Sequence, residues 1–235
     1  MAQRNRGKQS GDDKHFATEW HPIFKEAADD MGYLLTRGYA SNSALQIVGN
    51  RYKLNKRQRT AIMRISASKQ AIETRKNAMC SAEDLQGNVV DIDGFNILIL
   101  LESALSGAYI LKGRDGTYRD ISSVHGSYKR VIQTENAIQL VGEVLKKMNI
   151  QSAHWYLDQP VSNSGRLKTK LLEISEAHQF NWQVELDYSP DKVLVESENI
   201  IISSDGWILE QDVRWFNLGA LLIEDYIKTV NLIEV

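Results

Sequence analysis

Three short apolar runs in this sequence each end at an acidic residue and a turn, and this pattern limits the folds open to the chain. The runs are Val89–Asp93, Trp155–Asp158 and Ile200–Asp205. Each is short, β-prone and followed by Gly or Pro, which is typical of a buried strand. Because helix-forming segments separate the runs, we predict an α/β fold with a mainly parallel sheet and helices on both faces.

The strand ends also predict where a site would form. In open parallel sheets, sites lie in the crevice beyond the carboxyl ends of the strands. Carboxylates brought there from several strands repel one another unless a divalent cation binds between them. The pattern therefore indicates metal-assisted chemistry, with phosphodiesters as the expected substrate.

Charge is distributed unevenly along the chain, although the net charge is only −2. Residues 1–80 contain 15 Lys and Arg against 7 Asp and Glu, whereas residues 81–235 contain 13 against 23. This asymmetry predicts a module that can meet a polyanion and a second module rich in carboxylates. An alternative is a solvated basic surface beside a solvated acidic one. We predict a disordered tail over residues 1–15, a basic helical domain over 16–85 and an α/β domain over 86–235.

Cysteine content and apolar run length exclude several classes of protein. The single cysteine, Cys80, excludes an internal disulfide and a cysteine-rich zinc site. The longest apolar stretch, Ile97–Leu101, is too short to cross a bilayer. We expect a cytoplasmic protein with no membrane partner, and we leave a homodimer open.

Helical patterns fill the first part of the chain. Capping residues, Pro22 and glycine stops predict its elements. These are a helix over Pro22–Arg37, a short helix from a capping box at Ser43 to Gly49, and a helix capped by Asn55 that continues to about Ser68, with helical propensity to Met79. A helix-turn-helix over Ser43–Ser66 is a further interpretation.

Strands and helices alternate in the second part. We predict strands over Val89–Asp93, Tyr109–Lys112, Thr117–Ile121, His154–Leu157, Trp182–Asp187 and Ile200–Ser203. We predict helices over Ile97–Ser106, from a cap at Thr134, over Asn163–His178 and over Leu218–Lys228. Four tryptophans lie in apolar contexts that favour core packing, namely Trp155, Trp182, Trp207 and Trp215.

The strand-end motifs, Asp93-Gly94-Phe95-Asn96, Leu157-Asp158 and Ser203-Ser204-Asp205, resemble those of PIN-like nucleases, especially the NYN type, over roughly residues 88–230. The resemblance implies a PIN-like three-layer fold, preceded here by a small α-helical domain. It also implies catalytic roles for Asp93, Asp158, Asp205 and Asn96, with the three aspartates around Mg²⁺ or Mn²⁺. These nucleases usually have a further acid, for which Asp187 and Asp191 are candidates, and Asp91 is an additional possible ligand.

The whole chain also resembles the prokaryotic family called domain of unknown function 434, joined to a PIN-like C-terminal part. The segments that carry this resemblance are Leu35–Tyr39, Val48–Tyr52, Arg119–Ile121, Val124–Tyr128 and Ser162–Gly165. Because the activity of that family is not established, this resemblance implies a fold relationship and no reaction.

The segment Asp91-Ile92-Asp93-Gly94 also fits a second enzyme class. Haloacid-dehalogenase-like phosphatases begin with Asp-x-Asp-Gly-Thr, in which the first Asp is the nucleophile and the second a general acid and base. Asp91 and Asp93 would share one face of a strand. Phe95 stands where those phosphatases have Thr.

Polar and basic residues outside the strand ends are candidates for binding nucleic acid. They fall into a helix start (Ser162, Asn163, Ser164 and Arg166), a polar loop (Arg119, His125, Tyr128 and Arg130) and a basic helix (Arg57 and Arg59). A helix N-terminus and arginine side chains bind phosphate, and a tyrosine ring stacks on a base. The structural alternatives are helix capping, hydrogen bonds within the loop and a solvated helix surface.

Three functions are therefore consistent with the sequence. The first is a nuclease that needs Mg²⁺ or Mn²⁺ and acts on RNA more than on DNA. The second is a non-catalytic nucleic-acid or ribonucleoprotein-binding protein that has kept a degenerate PIN-like fold. The third is a phosphatase that uses Asp91 and Asp93.

Overall fold

The computed structural model of the chain describes residues 6–122 and 128–235. Its first part is helical. The α-helices there are α1 Asp12–His15, α2 His21–Thr36, α3 Ser41–Arg51, α4 Lys56–Ile65 and α5 Lys69–Ala78, with 3-10 turns at Thr18–Trp20 and Glu83–Leu85. No helix within the described residues combines the length and the apolar character that crossing a membrane requires.

Local sequence explains most of these helix boundaries. In α4, Asn55 and Gln58 form a capping box, which satisfies backbone N–H groups at the helix start. Ser68 caps α5, so the predicted continuous helix is interrupted near Ser66. The predicted capping box at Ser43 is wrong, because α3 begins at Ser41 without a side-chain cap. The turn between α3 and α4 spans residues 52–55, so it lies later than the predicted turn near Gly49.

The second part alternates strands and helices, as the sequence predicts. The strands are β1 Val89–Asp93, β2 Tyr109–Lys112, β3 Tyr118–Asp120, β4 Ser152–Asp158, β5 Trp182–Asp187, β6 Ile200–Ile202 and β7 Asn231–Ile233. The helices are α6 Gly94–Leu105, α7 Thr134–Lys147, α8 Ser164–His178, α9 Pro190–Glu196, α10 Gly206–Leu209 and α11 Leu218–Leu221, which a π-helical turn at Leu222–Tyr226 follows.

The main sheet has four strands in the order β5-β4-β1-β6, and all of its pairs are parallel. Strand β6 is apolar and buried at every position, as expected for a parallel strand with covered faces, whereas β5 at the other edge begins by alternating buried and exposed residues. Val90 and Ile92 of β1 are fully buried in the core that helices α6, α7 and α8 share. The predicted mixed α/β class with a mainly parallel sheet is confirmed. Since all four strands run in one direction, their carboxyl ends form a single edge.

A second, three-stranded sheet joins the two parts of the chain. Its order is β3-β2-β7, with β2 and β3 antiparallel and β2 and β7 parallel. Leu111, Ile121 and Ile233 of this region belong to the same apolar core as Phe24 and Ile62 of the helical part. The helical part therefore does not have a core of its own, because strands from the C-terminal part complete it.

Two regions differ from the sequence predictions. The predicted helix over Leu218–Lys228 is a short α-helix and a π-helical turn, and β7 was not predicted because it has only three residues and pairs with distant β2. Residues 6–15, predicted as part of a disordered tail, pack against the protein. Asp12 is buried and forms an ion pair with Arg57, and Arg6 forms an ion pair with buried Glu102.

Candidate functional site

Asp93 ends β1 at the carboxyl edge of the main sheet, and only 9% of it is exposed. Its Oδ1 accepts a 3.3 Å bond from the Asn96 backbone N–H, which caps helix α6. Its Oδ2 accepts a 2.8 Å bond from the Ser203 hydroxyl. Burial raises the pKa of Asp93 to about 7, and the negative charges of Asp191 and Asp205 act in the same direction, while the Ser203 bond opposes them. Asp93 therefore titrates near neutral pH.

Asp205 lies beyond the end of the neighbouring strand β6, and a set of hydrogen bonds fixes its loop to β1. Asn96 Oδ1 accepts bonds from the Ser204 backbone N–H at 3.0 Å and from the Ser204 hydroxyl at 2.9 Å. The Ser203 hydroxyl accepts a 3.0 Å bond from the Asp205 backbone N–H. The side chain of Asp205 caps α10 by accepting from Trp207 N–H at 2.8 Å. Asn96 thus positions the loop that carries Asp205.

Asp158 and Asp191 complete the acidic set at this edge. Asp158 ends β4, next to β1, and burial raises its pKa. Asp191 lies in the first turn of α9. Burial raises the pKa of Asp191, and the charges of Asp205 and Asp158 raise it further. Asp191 therefore interacts electrostatically with Asp93, Asp158 and Asp205.

This placement distinguishes the two candidates that the sequence leaves open for the fourth acid. Asp187 ends β5 beside Asp158, and its Oδ1 accepts a 2.7 Å bond from the Ser189 backbone N–H, as a turn residue does. Asp191 instead carries a charge that faces the other three acids. Residues 6–122 and 128–235 nevertheless contain no three Asp, Glu, His or Cys side chains that are arranged to hold one metal ion.

Asp91 lies on the same strand face as Asp93 but further from the edge. Its carboxylate accepts bonds from the Ser197 hydroxyl at 2.6 Å and the Asn199 amide at 3.1 Å, and it lies 3.2 Å from His154 Nδ1. Only 1% of Asp91 is exposed. With three partners around its buried carboxylate, Asp91 has the contacts of a structural group, which argues against the phosphatase interpretation.

Arg119 is held inside the protein instead of pointing freely towards solvent. Its guanidinium donates to Asp115 Oδ2 at 2.7 Å and to the Ser204 carbonyl at 2.9 Å. Arg75 of α5 pairs with the same Asp115 and donates to the Gly206 carbonyl at 3.2 Å. The two arginines therefore bind the carbonyls on both sides of Asp205, so the helical part and the β2–β3 hairpin support the acidic loop.

A cavity of about 320 Å³ lies between the helical part and the Asp205 loop. Most of its walls are formed by arginine, carboxylate and small polar side chains, and Met63 supplies the one large apolar side chain among the described lining residues. These residues are Met63, Arg64, Ser66, Arg75, Asn96, Arg119, Asp120, Ser204, Asp205 and Gly206. The cavity thus joins the basic helical part to the acidic edge of the sheet.

Arg57 and Arg59, the predicted phosphate contacts of the basic helix, both have partners within the protein. Arg57 donates to Asp12 and to the carbonyls of Gly7 and Ile121. Arg59 donates to the carbonyl of Leu54 at 2.8 Å and to Asn50 at 2.8 Å. Neither lines the cavity, so the arginine of α4 nearest to the acidic edge is Arg64.

The exposure of two aromatic rings, Tyr128 and Trp207, is the opposite of what the sequence suggests. Tyr128 is fully buried, packs on Phe95 with ring centroids 5.2 Å apart and donates its hydroxyl to Glu102. It has no exposed ring face for a base, which agrees with the structural alternative. Trp207, expected in the core, is 50% exposed, whereas Trp155 and the two remaining candidates, Trp182 and Trp215, are buried. His125 lies outside the described residues, and Arg130 is exposed.

The helix-start candidates mainly anchor the segment around Tyr128. Asn163 has φ 73° and donates its amide to the Tyr128 carbonyl at 2.8 Å, while the Ser162 carbonyl accepts from Tyr128 N–H at 3.0 Å. Ser164 is buried and donates to the Gln159 carbonyl at 3.3 Å. Arg166 is exposed and can reach solvent. Side-chain capping of α8 by Asn163 is not found.

Sequence reasoning missed the residues that act through distant contacts. The motif Ser203-Ser204-Asp205 does not by itself indicate that the Ser203 hydroxyl is the hydrogen-bond partner of Asp93. Arg64, Arg75 and Asp115 were not assigned to the site. The one local sign is Gly206, since a Cβ there would lie 2.7 Å from Arg75 Nη2. A glycine that directly follows a strand-end acid indicates a close approach of another group.

Comparisons with known proteins match two segments of the chain. The model of the family described as Domain of unknown function (DUF5616) matches residues 82–221, and that of Protein of unknown function (DUF434) matches residues 23–77. The predicted resemblance to the latter is thereby confirmed for those residues. The chain is 36% identical over 187 residues to Uncharacterized protein MJ0935 of Methanocaldococcus jannaschii, covering 77% of this chain and 89% of that protein. No solved structure matches the chain. With 140 of its residues in the first of these matches, the chain belongs to the Domain of unknown function (DUF5616) family.

Proposed function

We propose that this chain is a metal-dependent nuclease with a PIN-like fold of the NYN type, acting on RNA more than on DNA. The observation that supports this most is the convergence of Asp93, Asp158, Asp191 and Asp205 on one sheet edge. Carboxylates that raise one another's pKa are costly to keep together, and such arrangements are concentrated at functional sites. A cytoplasmic protein that finds its substrate in solution is part of the proposal.

The residues present fit Mg²⁺ or Mn²⁺ by their chemistry. Both ions prefer carboxylate oxygen ligands, and the edge offers four such groups whose repulsion a cation would relieve. Asp93 and Asp205 would be the fixed ligands, because Ser203 and Asn96 hold them. Asp158 and Asp191 would supply further carboxylate oxygens to the ion. When bound, the ion would activate water and stabilise the negative charge that develops on the phosphodiester.

The protein's own side chains would prepare this site in three ways. Asn96 keeps the Asp205 loop beside β1 through its bonds to Ser204. The Ser203 hydroxyl orients one oxygen of Asp93. Because the pKa of Asp93 is about 7, its charge changes as the pH changes around neutrality. The affinity of the edge for a cation would change with it. Cleavage is expected to leave a 5′-phosphate and a 3′-hydroxyl.

Cleavage of RNA and DNA oligonucleotides by the full chain tests this proposal. We expect cleavage with Mn²⁺ or Mg²⁺, none in EDTA, and at least a hundredfold loss in Asp93→Asn and Asp205→Asn, comparable with the removal of one electrostatic contact in other active sites. Asp225→Asn is the matched control, because Asp225 is exposed and lies in the π-helical turn away from the edge. Clean wild-type protein that cleaves neither polymer with either metal would contradict the proposal.

A second candidate is a non-catalytic nucleic-acid or ribonucleoprotein-binding protein that has kept this fold. The observation in its favour is that the described residues present no ready-made group of three metal ligands. This candidate predicts RNA affinity that falls steeply with salt, without cleavage and without metal uptake. Isothermal titration with Mn²⁺ distinguishes the two, since stoichiometric binding that Asp93→Asn abolishes excludes the non-catalytic version.

A further inference from the structure

We propose that the cavity between the helical part and the Asp205 loop binds a phosphate group of a nucleic-acid chain, with Arg64 as its principal contact. The inference deepens the proposed function and rests on it for the identity of the ligand. The helical part would then contact the phosphate backbone of the nucleic acid beside the acidic edge. Among the residues that line the cavity, the main sheet contributes no cation.

The position of Arg64 is the first argument. It lies in α4, lines the cavity together with Asn96 and Asp205, and leaves 31% of its side chain exposed. Its guanidinium donates to the backbone carbonyls of Asp120 and Ser122. These two carbonyl acceptors orient the guanidinium, which also forms an ion pair with Asp120. An oriented arginine is well suited to a phosphate, which it meets in a planar, two-point geometry.

The charge of the cavity is the second argument. Three arginines line it, Arg64, Arg75 and Arg119, against two carboxylates, Asp120 and Asp205. Asp115 lies behind this wall and pairs closely with Arg75 and Arg119, whereas Arg64 is 3.5 Å from Asp120 and is the most exposed of the three, so Arg64 is the cation most available to a ligand.

Asp120 is the carboxylate nearest to Arg64, 3.5 Å away. Burial raises the pKa of Asp120, and the charge of the Arg64 guanidinium lowers it. A cation bound at Asp205 would offset the other lining carboxylate. The cavity would therefore attract an anion most strongly when the acidic edge is occupied.

Unused hydrogen-bond donors provide the third argument. Within the described residues, Arg75 Nε and the Ser66 hydroxyl are buried without a hydrogen-bond partner, and both residues line the cavity. Arg75 is 5% exposed. Buried polar groups without partners cost free energy and are rare in folded proteins, so a site for a polar ligand gives them a reason.

Binding of a fluorescent 12-nucleotide RNA to the full chain in EDTA tests the proposal without any cleavage. Arg64→Gln is expected to weaken binding about tenfold and to reduce the slope of log affinity against log salt by about one. Arg37→Gln is the control, because Arg37 is an exposed arginine of the helical part that does not line the cavity. It should bind like the wild type.

A second variant guards against a simple folding defect. Ser66→Asp places a negative charge in the cavity without breaking any hydrogen bond of the described residues, and it should also weaken RNA binding while the melting temperature stays within a few degrees. Wild-type affinity in Arg64→Gln, or equal losses in Arg64→Gln and Arg37→Gln, would overturn the proposal.

Competition identifies the source of the phosphate group. Adenosine monophosphate and inorganic phosphate should displace the RNA only at concentrations far above those of an unlabelled oligonucleotide. If either small phosphate binds in the Arg64-dependent manner while RNA does not, the cavity serves a small ligand and the nucleic-acid assignment is wrong. Cleavage is measured separately, so a protein that binds through Arg64 but never cleaves contradicts the nuclease and leaves this inference standing.

Discussion

Two buried aspartates at turns, Asp115 and Asp93, have opposite electrostatic environments. Burial alone raises the pKa of both. At Asp115, the guanidinium groups of Arg119 and Arg75 outweigh burial and lower the pKa to about 2. At Asp93, the nearest charges belong to other carboxylates, and the pKa rises to about 7.

The ionised carboxylate of Asp115 therefore stabilises the fold, whereas the ionised carboxylate of Asp93 destabilises it. Asp115 links the helical part, through Arg75, to the hairpin and the Asp205 loop. Asp93 is placed against two negative charges, Asp191 and Asp205, with the Ser203 hydroxyl as its one side-chain donor among the described contacts. An arrangement of the second kind persists where function requires it.

The largest expected effect concerns Asp115. Asp115→Asn would leave the guanidinium groups of Arg75 and Arg119 buried without their shared carboxylate, and it should lower the free energy of unfolding by about 3–5 kcal/mol. Urea denaturation at pH 7 measures this loss, with Asp225→Asn as a control that should change stability by less than about 0.5 kcal/mol. A midpoint close to that of the wild type would show that the pair does not stabilise the fold.

The sign of the pH dependence follows from the lowered pKa of Asp115. Its folded value is about 2 against an ordinary value of 3.8. The stabilisation is therefore fully present above pH 3.8 and is lost as the pH falls towards 2.

Asp93→Asn should act in the opposite direction in protein stripped of metal with EDTA. The native state holds a proton on Asp93 up to about pH 7, whereas the unfolded chain releases it near 3.8. Wild-type stability should consequently fall as the pH rises through this window, and the variant should avoid that loss, by up to about 4 kcal/mol at pH 8. Urea titrations at pH 4 and pH 8 measure the difference, which should shrink at the lower pH. Destabilisation at pH 8 would mean that Asp93 is a structural carboxylate like Asp115.

Cation binding should depend on pH for the same reason. Protons and Mn²⁺ compete for Asp93, so with a pKa of about 7 the affinity for Mn²⁺ should rise about tenfold between pH 6 and pH 8. Isothermal titration calorimetry at both values tests this. An affinity that does not change with pH would place the ion away from Asp93 and would weaken the contrast between the two aspartates.

The smallest expected effect concerns Asn55, which caps α4 and has no contact with the acidic edge of the main sheet among its described hydrogen bonds. Asn55 and Asp93 both cap helices, but Asn55 belongs to a capping box on the helical part. Asn55→Ala should cost about 1 kcal/mol of stability and leave the affinity for Mn²⁺ unchanged. Thermal denaturation and the same calorimetry measure the two quantities, and a change in metal affinity would show that the helical part and the edge are coupled through α4.

The sequence predicted the parts of the site that depend on short-range patterns. Asp93, Asp158 and Asp205 were found as strand ends because β-prone runs and turn residues mark them locally. Asp191 could not be chosen over Asp187, since the choice depends on where α9 lies relative to β1. The predicted exposure of Tyr128 and the predicted burial of Trp207 are both wrong, because local sequence does not indicate which aromatic ring the rest of the chain will cover.

By itself the sequence determined the alternation of strands and helices, the acids at the strand ends and the uneven distribution of charge. These features follow from backbone propensity and side-chain periodicity, which act over a few residues. The tertiary structure alone decided that strand order gathers four carboxylates on one edge, that Asp115 joins arginines from separate elements, and that Arg64 faces the same cavity as Asp205. Such contacts link residues tens to more than a hundred positions apart, and their energies depend on distance and burial, which no local pattern encodes.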